Sequence, residues 1–248
     1  MIKIKSAYEI AQMRIAGRIT AEALEILKEH IKPGITTREL EKRAADHINK
    51  SGADCSFYQY NGYPGHICIS VNDEVVHGIP GKRVLREGDI VSVDVGACYG
   101  GYHGDAARTY AVGTISPEAE KLISVTKQSF FEGIKYATAG NRLFDISAHI
   151  QEFVEENGCS VVRALVGHGI GGHLHEDPEV PNFGASGRGP RLISGMTIAV
   201  EPMVNLGTYK VNTLSDGWTV VTADGMLSAH YENTILITEN GAEILTKC

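Results

Sequence analysis

EGDIVSVDV, residues 87–95, and SGMTIAVEP, residues 194–202, each place a carboxylate six residues after a glycine: Asp94 after Gly88 and Glu201 after Gly195. Both stretches alternate and carry β-branched residues, so each is read as a strand. Upstream of each, the same order of elements recurs. Ser6 with Glu9 forms a capping-box pattern, followed at helical spacing by Ile10, Met13, Gly17, Thr20, Leu24 and Leu27, until Pro33-Gly34 stops the run. Thr36 with Glu39 opens a second helix that ends at Gly52. In the later half, Ser116-Pro117 opens a helix with proline at its first position, and another helix carries Phe144, Ile150 and Phe153 before Gly158. Gly34 and Gly140 are 106 residues apart, Gly52 and Gly158 also 106, and Gly88 and Gly195 are 107 apart. This near-constant offset implies a duplication, with halves of about 1–115 and 116–248 inside one domain spanning 1–248. Helices followed by antiparallel strands, twice, predict an α+β fold: one curved antiparallel sheet with helices on its outer face.

Composition narrows the function. With 248 residues, 43% of them hydrophobic, the chain can bury one large core or two small fused ones. A net charge of −7 argues against a free-standing nucleic-acid or anionic-membrane surface, which needs excess basic charge. The N-terminal MIKIKSAYEIAQMR lacks a signal-peptide core, and no stretch reaches eighteen uninterrupted apolar residues, so a cytoplasmic protein is expected. The cysteines, Cys55, Cys68, Cys98, Cys159 and Cys248, are odd in number and form no CxxC pair, so neither a disulfide framework nor a thiolate zinc site is expected.

The chemistry lies in the strands. Ile90, Ser92 and Asp94 share one strand face. Asp105 follows across ACYGGYHG (97–104), and a hairpin centred between Tyr99 and Gly100 would set Asp94 directly opposite Asp105. Like charges so placed destabilise a sheet, so a cation is expected between them. The second half supplies Glu201 and, in HYENTILIT, Glu232; the duplication would bring that pair to face the first. Four carboxylates are neutralised by two divalent cations, with oxygen ligands suiting Mn, Fe(II) or Co and an imidazole shifting preference away from Mg or Ca. Of the ten histidines, His77, His168, His173 and His175 fall where glycine or proline fixes the backbone. His103 and His230, beside Asp105 and Glu232, are read as turned to the opposite strand face. GHGIGG (167–172) also matches a dinucleotide fingerprint, but that motif must open a helix, and Pro178 and Pro181 forbid one.

The segments CISVNDEVVHGIP (68–80), GDIVSVDVG (88–96), YHGDAART (102–109), VVRALVGHGIGGHLHEDPEVPN (161–182), GMTIAVEPMVN (195–205) and DGWTVVTADGMLSAHYENTILIT (216–238) resemble type I methionine aminopeptidases, in the short bacterial form. The resemblance implies the pita-bread fold and a dinuclear metallopeptidase that removes the initiator methionine of nascent proteins when the second residue is small. It implies Asp94, Asp105, His168, Glu201 and Glu232 as ligands of two divalent ions (Co, Mn, Fe or Zn), with Asp105 and Glu232 bridging. Glu201 would move the proton of the attacking water, His175 would stabilise the oxyanion, and His77 would hold the scissile amide nitrogen. Tyr60, Tyr63, Cys68 and Trp218 would line the methionine pocket, with Phe57 and Leu174 as further candidates, an aromatic setting suited to a thioether. The family's work on nascent chains also implies a transient encounter with ribosomes; no long amphipathic repeat demands a partner, so a monomer is expected, and the charge and apolar runs predict no membrane or direct nucleic-acid role. The competing readings are an X-Pro aminopeptidase or prolidase, which carries an extra N-terminal domain for which 248 residues leave no room, and a non-catalytic peptide-binding module on the same fold.

Overall fold

The computed structural model describes residues 1–248. The first half opens with α1 (Ala7–His30) and α2 (Thr37–Lys50), followed by strands β1 (Asp54–Cys55), β2 (Cys68–Val71), β3 (Glu74–Val76), β4 (Ile90–Tyr99) and β5 (Tyr102–Ala111). The second half opens with α3 (Pro117–Ile134) and α4 (Leu143–Glu156), followed by β6 (Ser160–Val161), β7 (Gly167–Gly169), β8 (Glu176–Val180), β9 (Thr197–Val200) and β10 (Met203–Asn205). It continues with β11 (Val211–Thr213), β12 (Val220–Thr222), β13 (Ser228–His230), β14 (Asn233–Thr238) and β15 (Gly241–Ile244). Both predicted capping boxes form, Ser6 with Glu9 and Thr36 with Glu39, and Ser116 caps α3 with Pro117 at its first turn. Each such cap satisfies backbone donors that the helix cannot, worth about 1 kcal/mol.

Every strand pair is antiparallel, and the layers match the expected α+β pita-bread arrangement, although the strands form four hydrogen-bonded sheets rather than one continuous curved sheet. β4 pairs β5 on one side and both β1 and β2 on the other, while β15-β14-β9-β7-β8 form the corresponding sheet of the second half. Each sheet has its own apolar core under its own helices: Leu24, Leu27, Leu40 and Ile48 pack on Val91, Val93 and Val95. Leu122, Phe130, Ile146 and Ile150 pack on Ile198, Val200, Ile235 and Ile237. Burying one such side chain contributes about 1.5–3 kcal/mol, so these faces fix which side of each sheet the helices cover.

The sheets join where β5 meets the start of β14. Glu232 N–H donates to the Ala107 carbonyl at 2.9 Å, the Asp105 N–H donates to Thr234 Oγ1 at 3.0 Å, and that hydroxyl donates to the Asp105 carbonyl at 3.0 Å. The carboxylate-bearing stretch of β5 and the start of β14 are thereby tied side by side.

The β4–β5 register corrects one expectation. The turn is Gly100-Gly101, with φ of 59° and 82°, and Tyr99 pairs with Tyr102. Two consecutive positive φ values suit the tight hairpin turn that matches strand twist, and glycine accepts them without a Cβ clash. Asp94 therefore faces Ala107, and Asp105 faces Gly96, so the two aspartates are diagonal neighbours on one face rather than directly opposed. In the second half Val200 pairs with Asn233, which brings Glu201 and Glu232 opposite each other one step further on. The halves differ there by two residues of register, and the excursion through β11 and β12 lengthens the second connection.

Candidate metal centre and substrate pocket

Asp94 comes from β4, Asp105 from β5, Glu201 from the break between β9 and β10, and Glu232 from the residue preceding β14. His168 sits in the middle of β7, paired with Ala199 of β9. These five side chains converge. His168 Nε2 lies 3.6 Å from Glu201 Oε1 and 3.9 Å from Asp105 Oδ2. Asp105, His168 and Glu232 each offer a ligand atom within 4.8 Å of one another, and Asp94, His230 and Glu232 form a second such group, so Glu232 belongs to both.

His230 and His103 depart from the expected orientation. His230 is buried, with Nε2 3.7 Å from Glu232 Oε2 and 4.0 Å from Glu201 Oε2. His103 lies on the Asp105 side of β5, where Ser56 Oγ meets its Nδ1 at 2.9 Å. Both histidines stand two residues from a carboxylate, and a period of two puts such residues on the same face, so the signal is present in the spacing.

The electrostatics fit divalent cations. Burial, then repulsion from Glu232 and Asp94, holds the Asp105 carboxyl well above the usual carboxylate range. Burial followed by the neighbouring acids does the same to Glu201 and Glu232, and burial pushes Asp94 up to about 7. Burial also lowers His168 and His230 to about 3, and lowers His77 with a further push from His175. Asp94 Oδ1, Asp105 Oδ1, Glu232 Oε1 and His230 Nε2 are all buried with no hydrogen-bond partner. A buried polar atom left unpaired costs about 1–3 kcal/mol, more when charged, and four at one point form a donor set that cations would satisfy.

The surrounding chain holds this set in place. The Arg108 guanidinium donates to the Glu232 carbonyl at 2.5 Å and to Asn233 Oδ1 at 2.7 Å, fixing the backbone beneath Glu232. Thr109 Oγ1 donates to the His230 carbonyl and accepts from the His230 N–H, both at 2.9 Å. The His168 Nδ1 lies 2.8 Å from the Gly169 carbonyl; donating there directs the Nε2 lone pair toward the carboxylates.

A cavity of about 240 Å³ opens directly over the acids. Phe57, Tyr60, Tyr63, Cys68, Leu174 and Trp218 form its apolar wall, with His77 and His175 at the boundary between wall and acids. All four residues expected in the pocket, and both further candidates, are therefore brought together, with Asn61 as an addition that the sequence alone does not signal. Tyr63 and Trp218 meet edge to face at 5.1 Å between ring centroids, and the Tyr63 hydroxyl donates to the Gly78 carbonyl at 2.9 Å. Tyr60 OH lies 3.0 Å from His175 Nδ1, whose ring stands 4.2 Å from that of His168. His77 adopts φ of 59°, a left-handed conformation that costs a non-glycine residue about 1–3 kcal/mol and aims its ring into the cavity. The next residue, Gly78, passes so close to β2 that an added Cβ would lie 2.2 Å from the Ile69 carbonyl oxygen. All five cysteines are free thiols. GHGIGG enters strand β7 and then a loop, as the exclusion of a dinucleotide helix required. No helix is long and apolar enough to cross a membrane.

Known proteins match along the whole chain. The profile of metallopeptidase family M24 matches residues 11–239. The methionine aminopeptidase of Clostridium perfringens is 61% identical over 99% of both chains, and methionine aminopeptidase 1 of Bacillus subtilis is 55% identical over 100% of both. The crystal structure of a Thermotoga maritima methionine aminopeptidase superposes with a TM-score of 0.99 at 50% identity, covering 100% of each chain. A prolidase from Pyrococcus furiosus shares the fold at a TM-score of 0.79, but at 24% identity and over 65% of its own length, so this likeness carries fold alone. The chain belongs to metallopeptidase family M24 and, within it, to the methionine aminopeptidases.

Proposed function

We propose that this chain is one catalytic domain that hydrolyses the first peptide bond after an N-terminal methionine, using two divalent ions held by Asp94, Asp105, His168, Glu201 and Glu232. The observation that carries the reading is the cluster of buried carboxylates with unpaired oxygens, lying at the floor of an aromatic-walled pocket. Bound divalent cations of the Mn, Fe, Co or Zn type would supply a lowered water pKa and polarisation of the scissile carbonyl.

The chain's own groups do the rest. The methionine side chain enters between Tyr63, Trp218, Cys68 and Tyr60, where aromatic faces favour a thioether. Glu201 takes the proton of the attacking water on its carboxylate and returns it to the leaving amine. Tyr60 OH, donating to His175 Nδ1, leaves the proton on Nε2 of that ring, which then donates to the developing oxyanion. His77, held in its strained turn, accepts or donates at the scissile amide nitrogen. Substrates are peptides and nascent chains with a small second residue. The working state is a cytoplasmic monomer that meets the ribosome only transiently.

Hydrolysis of a Met-X-Ser peptide series, after chelation and after add-back of Mn, Co, Fe or Zn, tests this reading. Cleavage should vanish with chelator, return with metal, and be confined to small X. Equal cleavage of Met-Ala-Ser, Met-Leu-Ser and Met-Lys-Ser, or activity indifferent to chelator, would refute it. The proline-directed alternative predicts Met-Pro substrates strongly preferred over Met-Ala, Met-Leu and Met-Lys alike.

A further inference from the structure

Glu201 occupies the break between β9 and β10, and the strand paired with each of them delivers an imidazole to it. β7 pairs with β9 through His168 and Ala199, and β13 pairs with β10 through His230 and Met203. The Nε2 atoms of the two rings approach different oxygens of the Glu201 carboxylate, His168 at 3.6 Å from Oε1 and His230 at 4.0 Å from Oε2. His230 thus repeats, on the far side of the cluster, the position His168 holds on the near side.

The distances distinguish coordination from hydrogen bonding. His230 Nε2 lies 3.7 Å from Glu232 Oε2 and 4.0 Å from Glu201 Oε2, beyond hydrogen-bond reach of either, and it has no other partner although only 2% of the residue is exposed. Two atoms bound to one divalent ion at about 2.1 Å each can lie up to about 4.2 Å apart, so the 3.7 Å between His230 and Glu232 is that of ligands around a shared cation, while Glu201 goes with His168 at 3.6 Å. The pairs His168–Glu201 and His168–Asp105, at 3.6 and 3.9 Å, fall in the same range. Thr109 grips the His230 backbone at both its N–H and its carbonyl, which fixes the ring's approach.

On the dinuclear reading proposed above, we infer that His230 is a sixth protein ligand, binding through Nε2 the ion shared by Asp94 and Glu232. Each ion then has one imidazole: His168 with Asp105, Glu201 and Glu232, and His230 with Asp94 and Glu232. A nitrogen at both positions moves the whole centre, rather than half of it, away from Mg and Ca toward borderline metals.

The test uses the full chain, stripped with chelator and titrated with Co(II), with histidine selectively labelled with ¹⁵N. Two strongly shifted, exchangeable imidazole N–H resonances should appear when two equivalents are bound. His230→Gln should lose one of them and His168→Gln the other, and calorimetry of His230→Gln should show one stepwise association constant reduced ten-fold or more. A residue that only orients a ligand can also cost about 10–100-fold in affinity, so the resonance count decides. A wild-type protein that takes up two equivalents yet shows a single shifted imidazole, unchanged in His230→Gln, overturns the inference and leaves the five-ligand reading standing. Should the variant fail to fold, the number of shifted resonances in the wild type is sufficient to decide between one imidazole and two. A wild type that takes up no Co(II) overturns both readings.

Discussion

Stripping the metal should make the protein's stability fall as pH rises, over a range where most proteins are indifferent. Asp105, Glu201 and Glu232 have carboxyl groups held well above the ordinary range by burial and mutual repulsion, and Asp94 is pushed up to about 7. The folded chain without ions therefore carries protons that the unfolded chain has released. Stability from a group whose folded pKa is raised is present at low pH and is lost as pH climbs toward that folded value. Between pH 7 and 8 the histidines lowered by burial, His77, His103, His168, His175 and His230, oppose the trend only weakly, because most of their unfolded-state protons are already released by pH 7. Above pH 8 the raised thiols of Cys55 and Cys68 begin to add to it, which sets the upper limit of the window. Each proton that the cluster retains across that pH unit contributes a loss of roughly 1 kcal/mol. Urea unfolding followed by circular dichroism, at pH 7 and pH 8, with chelator and with two equivalents of Mn(II), measures it. The metal-loaded protein, whose carboxylates are already ionised, should change little. Equal stability of the stripped protein at the two pH values would refute the claim that these acids hold protons in the absence of cations.

Two further outcomes separate the roles assigned around the cavity. Glu201→Gln should lower kcat by about 10²–10⁴-fold, the range for loss of a general base, while His77→Ala lowers turnover and leaves calorimetric ion affinity unchanged. Identical effects of the two substitutions on affinity and turnover would contradict that division. Trp218→Ala should raise KM for Met-Ala-Ser by about 2- to 13-fold, from the roughly 0.5–1.5 kcal/mol carried by an aromatic contact, with a smaller change in kcat. An unchanged KM in steady-state hydrolysis would place the methionine side chain elsewhere.

Local signals are legible directly in the chain. The caps at Ser6, Thr36 and Ser116 form because a short hydroxyl followed three residues later by an acid or backbone donor is a local arrangement that no distant contact has to complete. The pocket residues Tyr60, Tyr63, Cys68 and Trp218 come through family resemblance, since nothing in FYQYNGYPG alone says that a tryptophan from residue 218 will meet Tyr63 edge to face. The hairpin register differs from the expected pairing by two residues because YGGY allows more than one centre. The Gly100-Gly101 turn, with Tyr99 opposite Tyr102, fixes it. His230 stands two residues from Glu232, a spacing that places both on one face, but its burial among acids emerges only once the strands are assembled.

By itself the sequence determined the order of helices and strands, their repetition at an offset near 106 residues, and the identity of the acids and histidines that could meet. These follow from periodicity, capping and residue chemistry, which act over a few neighbours. Only the tertiary structure decided that β5 and the start of β14 are stitched together through Ala107, Asp105 and Thr234, and that Glu201 stands between two imidazoles rather than beside one. Those outcomes depend on how two separately cored sheets pack against each other, and the energy that selects that packing is summed over surfaces that lie far apart in the chain.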